Sequence, residues 1–102
     1  MNHANQLKKI LVVDDDDNVV QMLKILLESR EYEVLTAHNC GQAQEALDPT
    51  VDLILLDYIL PDMDASEICQ ALREKKGCEE VPIILLSGHI HSKSLAECLY
   101  LG

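Results

Sequence analysis

Four short apolar runs, each followed by a stretch of helical periodicity, constrain this chain more than any other feature. The runs are Ile10-Leu11-Val12-Val13, EVLTA at Glu33 to Ala37, VDLILL at Val51 to Leu56 and VPIILL at Val81 to Leu86. Their apolar residues are mostly consecutive, as in strands covered on both faces of a parallel sheet. Helical patterns fill the intervals. Asn18 to Arg30 carries Val19, Val20, Met22, Leu23, Ile25, Leu26 and Leu27 around most of its circumference, leaving Gln21, Lys24 and Glu28 as a polar stripe. That much apolar surface calls for cover on more than one side. Gln42 to Leu47 reads as a short helix led by Gly41 and stopped by Asp48-Pro49. Ser66 to Lys76 sets Ile68, Cys69 and Leu72 on one face, with Gly77 as its C-terminal cap. Ser92 to Leu101, with Leu95, Cys98 and Leu99, closes the series. A strand–helix unit repeated in this way, with short loops between, predicts a doubly wound α/β fold.

With 102 residues, a single domain over 1–102 is expected, residues 1–7 being a flexible lead. Eight Lys and Arg against eighteen Asp and Glu give a net charge of −10. Such a surface repels phosphate backbones and anionic lipid, so neither direct nucleic-acid binding nor membrane binding is expected. The longest apolar runs fall far short of a membrane span, and the opening MNHANQLKK has neither the apolar core nor the cleavage pattern of a signal peptide. The chain reads as cytoplasmic. Cys40, Cys69, Cys78 and Cys98 lack metal-ligand spacing and read as reduced, mostly buried small hydrophobes.

Open parallel sheets bind ligands beyond the carboxyl ends of their strands. After the first run come Asp14, Asp15, Asp16 and Asp17; after the third, Asp57; after the fourth, Ser87 and Gly88. Asp14, Asp15 and Asp57 would thus converge. Crowded carboxylates raise one another's pKa unless a cation separates them, and Mg²⁺ suits a few carboxylates plus a phosphate oxygen. A carboxylate beside such an ion is also a competent nucleophile for phosphoryl transfer, and Ser87 offers a hydroxyl to the incoming group. Asp16 and Asp17 read instead as the N-cap and first turn of the next helix. His89 and His91 lack further ligands and read as loop histidines.

At these residues the sequence resembles the receiver domain of bacterial two-component response regulators. The matching stretches are KKILVVDDDD at 8–17, AHNCGQAQEAL at 37–47, VDLILLDYILPDMDASE at 51–67 and VPIILLSGH at 81–89. The resemblance implies a flavodoxin-like sheet and a signalling switch rather than an enzyme. Its only chemistry is its own phosphorylation and dephosphorylation. Asp57 matches the phosphoacceptor, which takes its phosphoryl group from a sensor histidine kinase or phosphotransfer protein. Asp14 and Asp15 match the acidic pair that holds Mg²⁺, with the backbone carbonyl of Ile59 as a further ligand beside Asp57. Ser87 matches the switch hydroxyl, and Pro61 the proline of the loop after the phosphoacceptor. Ala65 stands where the family usually has glycine.

The family continues into a fifth strand, a Lys-Pro pair and a fifth helix, for which this sequence has no counterpart; Lys93 falls too early to stand in for the family's lysine. The expected sheet is therefore 2-1-3-4, with an open edge on the fourth strand and an uncovered first helix, a surface that invites homo-oligomers. Two other readings stand beside the phosphoaccepting one. A phosphorylation-incompetent pseudo-receiver would act as a protein-binding module. A haloacid dehalogenase-like phosphatase fits Asp15-x-Asp17-x-Val19, but needs a later lysine, a second acidic pair and a cap that 102 residues do not hold.

Overall fold

Lysines on one side and aspartates on the other bracket the first apolar run, and between them lies β1 (Lys9–Val13). The computed structural model describes residues 8–57 and 63–86. In it β1 is followed by α1 (Asp17–Ser29), β2 (Glu33–Ala37), α2 (Cys40–Ala46), β3 (Leu53–Leu56), α3 (Ala65–Arg73) and β4 (Ile83–Leu85). The strands pair in the order β2-β1-β3-β4, all parallel. The helix expected over 92–101 lies outside the described residues, as do Ile59, Pro61, Ser87, His89, His91, Lys93 and Cys98.

The period of two in each strand divides its side chains between two layers. Leu11, Val13, Ala37, Ile54, Leu56, Ile83 and Leu85 pack with Cys40, Ala43 and Leu47 of the α2 region and with Ala65, Ile68, Cys69 and Leu72 of α3. Ile10, Val12, Val34 and Leu55 pack on the other face with Val20, Leu23 and Leu27 of α1. Both faces are thus covered, which is why these strands read as continuous apolar runs. Leu11, Ile54 and Leu56 are wholly buried, and truncating any one to alanine would cost about 2–5 kcal/mol.

Several boundaries differ from the sequence expectation. β3 starts at Leu53, not Val51, because the Asp52 carboxylate accepts the Lys9 N–H at 2.8 Å while Val51 sits in a turn, its N–H on the Asp48 carbonyl. β4 starts at Ile83, since Pro82 has no N–H to donate; its carbonyl still accepts from Ile54. α2 begins earlier than Gly41 because Asn39 caps it, accepting the Gln42 N–H at 2.8 Å. α3 is capped at its start by a reciprocal pair, Asp64 accepting from the Glu67 N–H and Glu67 from the Asp64 N–H. It ends at Arg73 with Glu74 as C-cap. Gly77, expected as the cap, instead takes φ +85° in the turn that follows.

Among the described residues α1 stands partly uncovered, as the expected sheet order implied. Met22, Ile25 and Leu26 are 59%, 67% and 49% exposed, and Val20 is the one buried residue of the helix. Cys40, Cys69 and Cys78 are buried, as expected.

Candidate functional site

The chain runs from β1 outward to β2, then returns to β3 on the opposite side of β1, so strand order reverses between β1 and β3. At such a switch point the loops leaving the two strands part in opposite directions and open a crevice. The β1–β3 register pairs Val13 with Leu56, which brings the next residues, Asp14 and Asp57, side by side. Two backbone bonds fix them there. The Asp57 N–H donates to the Val13 carbonyl at 2.8 Å, and the Asp14 N–H to the Ala37 carbonyl of β2 at 3.0 Å.

Asp14, Asp15 and Asp57 each present a carboxylate oxygen to one cluster, all within 4.8 Å of one another. Asp14 is buried, Asp57 half-buried and Asp15 exposed. Burial pushes the Asp14 carboxyl above the ordinary carboxylate range, and the charges of Asp15 and Asp16 push the same way. The Asp16 N–H, donated to Asp14 Oδ1 at 2.9 Å, and a hydrogen bond with the Asp57 side chain act against that rise. This acidic group could hold a metal ion. Its donors are all hard oxygens on short side chains, the set that a small divalent cation takes and a soft metal does not.

Asp16 and Asp17 fall where the sequence put them. Asp16 is the N-cap of α1, its Oδ1 accepting the N–H groups of Asn18 and Val19, and Asp17 lies in the first turn. Asp17 also meets His38 of the β2–α2 loop, Oδ1 to Nε2, at 3.2 Å. Sequence reasoning found nothing reactive at His38. The contact joins residues 21 apart and leaves no local pattern. Ala65, where the family usually has glycine, is the buried first residue of α3 and adopts ordinary helical backbone, so its side chain fits without strain.

The family description "Response regulator receiver domain" matches residues 10–102. Among curated proteins, the transcriptional regulatory protein CpxR of Escherichia coli K12 is 38% identical over 81 residues, covering 79% of this chain and 34% of that protein. ResD of Bacillus subtilis, also a transcriptional regulatory protein, is 40% identical over 88 residues, covering 85% of this chain and 35% of its own. The chain therefore spans about a third of the length of the curated relatives it matches. Among solved structures, the chemotaxis protein CheY4 of Vibrio cholerae superposes with a TM-score of 0.84 at 27% identity, over 94% of this chain and 81% of that one. The non-phosphorylated HemR receiver domain of Leptospira biflexa gives 0.83 at 27%, over 93% and 76%. The sheet order, the acidic switch point and these matches agree: the chain belongs to the response regulator receiver domain family, the phosphoaccepting signalling switches of two-component systems.

Proposed function

We propose that Asp57 is the phosphoacceptor of this receiver and that Asp14 and Asp15, with the Ile59 carbonyl, hold the Mg²⁺ ion that transfer requires. The observation that carries this reading is the convergence of Asp14, Asp15 and Asp57 within 4.8 Å where strand order reverses among the described strands. Mg²⁺ bound there supplies positive charge to phosphoryl oxygens beside carboxylates that would otherwise repel them. The protein's part is positioning. A carboxylate oxygen of Asp57 forms the new O–P bond as the P–N bond of a donor phosphohistidine breaks, and the departing imidazole nitrogen keeps the electron pair. Water later cleaves the acyl phosphate, returning Asp57 and inorganic phosphate. Ser87 is the switch hydroxyl that draws toward the phosphoryl group and shifts the population of the domain's interaction surface.

The partner this implies is a sensor histidine kinase or phosphotransfer protein in the cytoplasm, met by a single domain over 1–102. Transcriptional control in the longer relatives is a property of proteins of which this chain matches a third; its charge of −10 argues against direct contact with nucleic acid here. Among the described residues no helix is long and apolar enough to cross a membrane. Self-association through Met22, Ile25 and Leu26 of α1 is a further expectation; sedimentation at one monomer mass across a wide concentration range excludes it.

The test is intact mass after incubation with Mg²⁺ and a small-molecule phosphodonor. The expected result is a single phosphoryl adduct on the wild type and none on Asp57→Asn, with the fold of both confirmed by circular dichroism. An adduct surviving in Asp57→Asn moves the acceptor elsewhere. Absence of any adduct on the wild type, with Mg²⁺ still bound, favours the phosphorylation-incompetent binding module.

A further inference from the structure

Asp15 is exposed, and no hydrogen bond fixes its side chain among those described, so its neighbours must set its place beside Asp14. On one side, Asp14 is held through its N–H on Ala37 and its Oδ1 on the Asp16 N–H. On the other, Asp16 caps α1, and Asp17 reaches across to His38. The His38 end of that bridge is itself fixed. Its N–H donates to Gln42 Oε1 at 2.7 Å, and it follows directly on Ala37, whose carbonyl holds Asp14. The loop from Asp14 to Asp17 is thus anchored to the β2–α2 connection at both ends, by backbone at Ala37 and by side chain at His38. An ionised carboxylate only accepts hydrogen bonds, so His38 Nε2 carries the proton in this contact.

We propose that His38 is a positioning residue for the acidic loop. Through Asp17 it fixes the start of α1, and so the place of Asp15 relative to Asp14 and Asp57. This rests on the metal site proposed above and adds a residue that touches no proposed ligand. The arrangement parallels the outer hydrogen bonds that orient metal ligands elsewhere, weakened here because His38 and Asp17 both face solvent.

A charge argument and a positioning argument predict opposite signs. If His38 acted only as a nearby partial or full positive charge, its removal would tighten Mg²⁺ binding by deepening the negative potential. If it positions the loop, removal loosens binding. The experiment is Mg²⁺ titration followed by the amide resonances of Asp14 and Asp57, in wild type, His38→Ala, His38→Gln, Asp17→Ala and the His38→Ala/Asp17→Ala double variant. His38→Ala is expected to weaken Mg²⁺ about three-fold, the scale of one exposed charged pair. Asp17→Ala, which breaks the same contact and also removes a nearby negative charge, should weaken binding at least as much, and the double variant should be no weaker than Asp17→Ala. His38→Gln, whose side-chain amide can still donate to Asp17, should recover most of the loss. Thermal midpoints taken without Mg²⁺ separate this from a merely structural role, which would move the midpoint and leave the affinity alone. Wild-type or tighter affinity in His38→Ala overturns the proposal, as do single effects that sum in the double. If Asp15→Ala binds Mg²⁺ as the wild type does, the metal-site reading itself fails and this inference fails with it, a result distinct from an inert His38.

Discussion

Asp14 is the residue at which the proposed function and stability oppose each other most directly. The residue is 6% exposed beside Asp15 and Asp57, and burial with the neighbouring charges lifts its pKa above the usual 3.8. The consequence for stability has a definite sign. Well below pH 3.8 both folded and unfolded chains hold the Asp14 proton and the group contributes nothing. As pH rises the unfolded chain releases that proton first, so stability declines from about 3.8 upward, through the raised folded value, and then levels off. Asp14→Asn removes that decline while its carbonyl can still accept the Asp16 N–H. Without divalent ions the variant should therefore be more stable than the wild type at pH 7.5, by on the order of 1 kcal/mol. The advantage should shrink toward pH 4, as urea unfolding at the two pH values would report. An equal difference at both would mean that the mutation acts on packing and not on charge.

At the scale of elements, what was legible in the sequence was whatever local spacing dictates. β1 and β2 match the apolar runs closely because both faces of the sheet demand apolar side chains there. The cap of α3 carries a local signal too, the capping-box spacing of Asp64-Ala-Ser-Glu67, which a helix read from Ser66 passed over. Asp64→Ala should cost about 1 kcal/mol in thermal or urea unfolding. Hydrogen bonds from the Glu67 N–H and the Ser66 hydroxyl hold the Asp64 pKa below 3.8. Its contribution is therefore present above 3.8 and lost as pH falls through the lowered value, so wild type and variant should converge in strong acid. What the sequence hid depends on distant partners. Gly77 reads as a helix cap, but its φ of +85° serves a turn packed on Pro49, and a Cβ there would lie 2.7 Å from the proline Cγ. Gly77→Ala should accordingly destabilise by more than about 1 kcal/mol, a loss set by the positive φ and by Pro49 and by no feature of α3. The starts of β3 and β4 were misread for a related reason. Val51 and Val81 are buried, as their apolar character predicts, yet both precede their strands, and burial and pairing are different demands.

At the scale of the whole molecule the meeting of Asp14, Asp15 and Asp57 was the more legible half, because strand ends and strand order together leave little freedom for where they can go. The surface was less so: the apolar circumference of α1 calls for cover while the expected sheet leaves that helix uncovered, and the second demand prevails, with Met22, Ile25 and Leu26 exposed among the described residues. The same topology would link the proposed ion binding to global stability. The three carboxylates come from loops after β1 and β3, so the site exists only when those strands are paired, and the unfolded chain has no equivalent cluster. A ligand that binds only the folded form stabilises it by roughly 2.7 kcal/mol at a hundred times its dissociation constant. For a domain of this size that is a rise in thermal midpoint on the order of 10 °C or more. A chain of charge −10 also gains stability from any salt by screening, so the comparison is with sodium chloride at equal ionic strength. Mg²⁺ should raise the midpoint well beyond that control at neutral pH. It should do so less and less in acid, as protons compete for the raised carboxyl of Asp14. Asp15→Ala should lose most of the excess. If sodium chloride reproduced the whole effect, the acidic end would be a screened charge cluster and not a binding site, and the folded state would owe nothing to the ion.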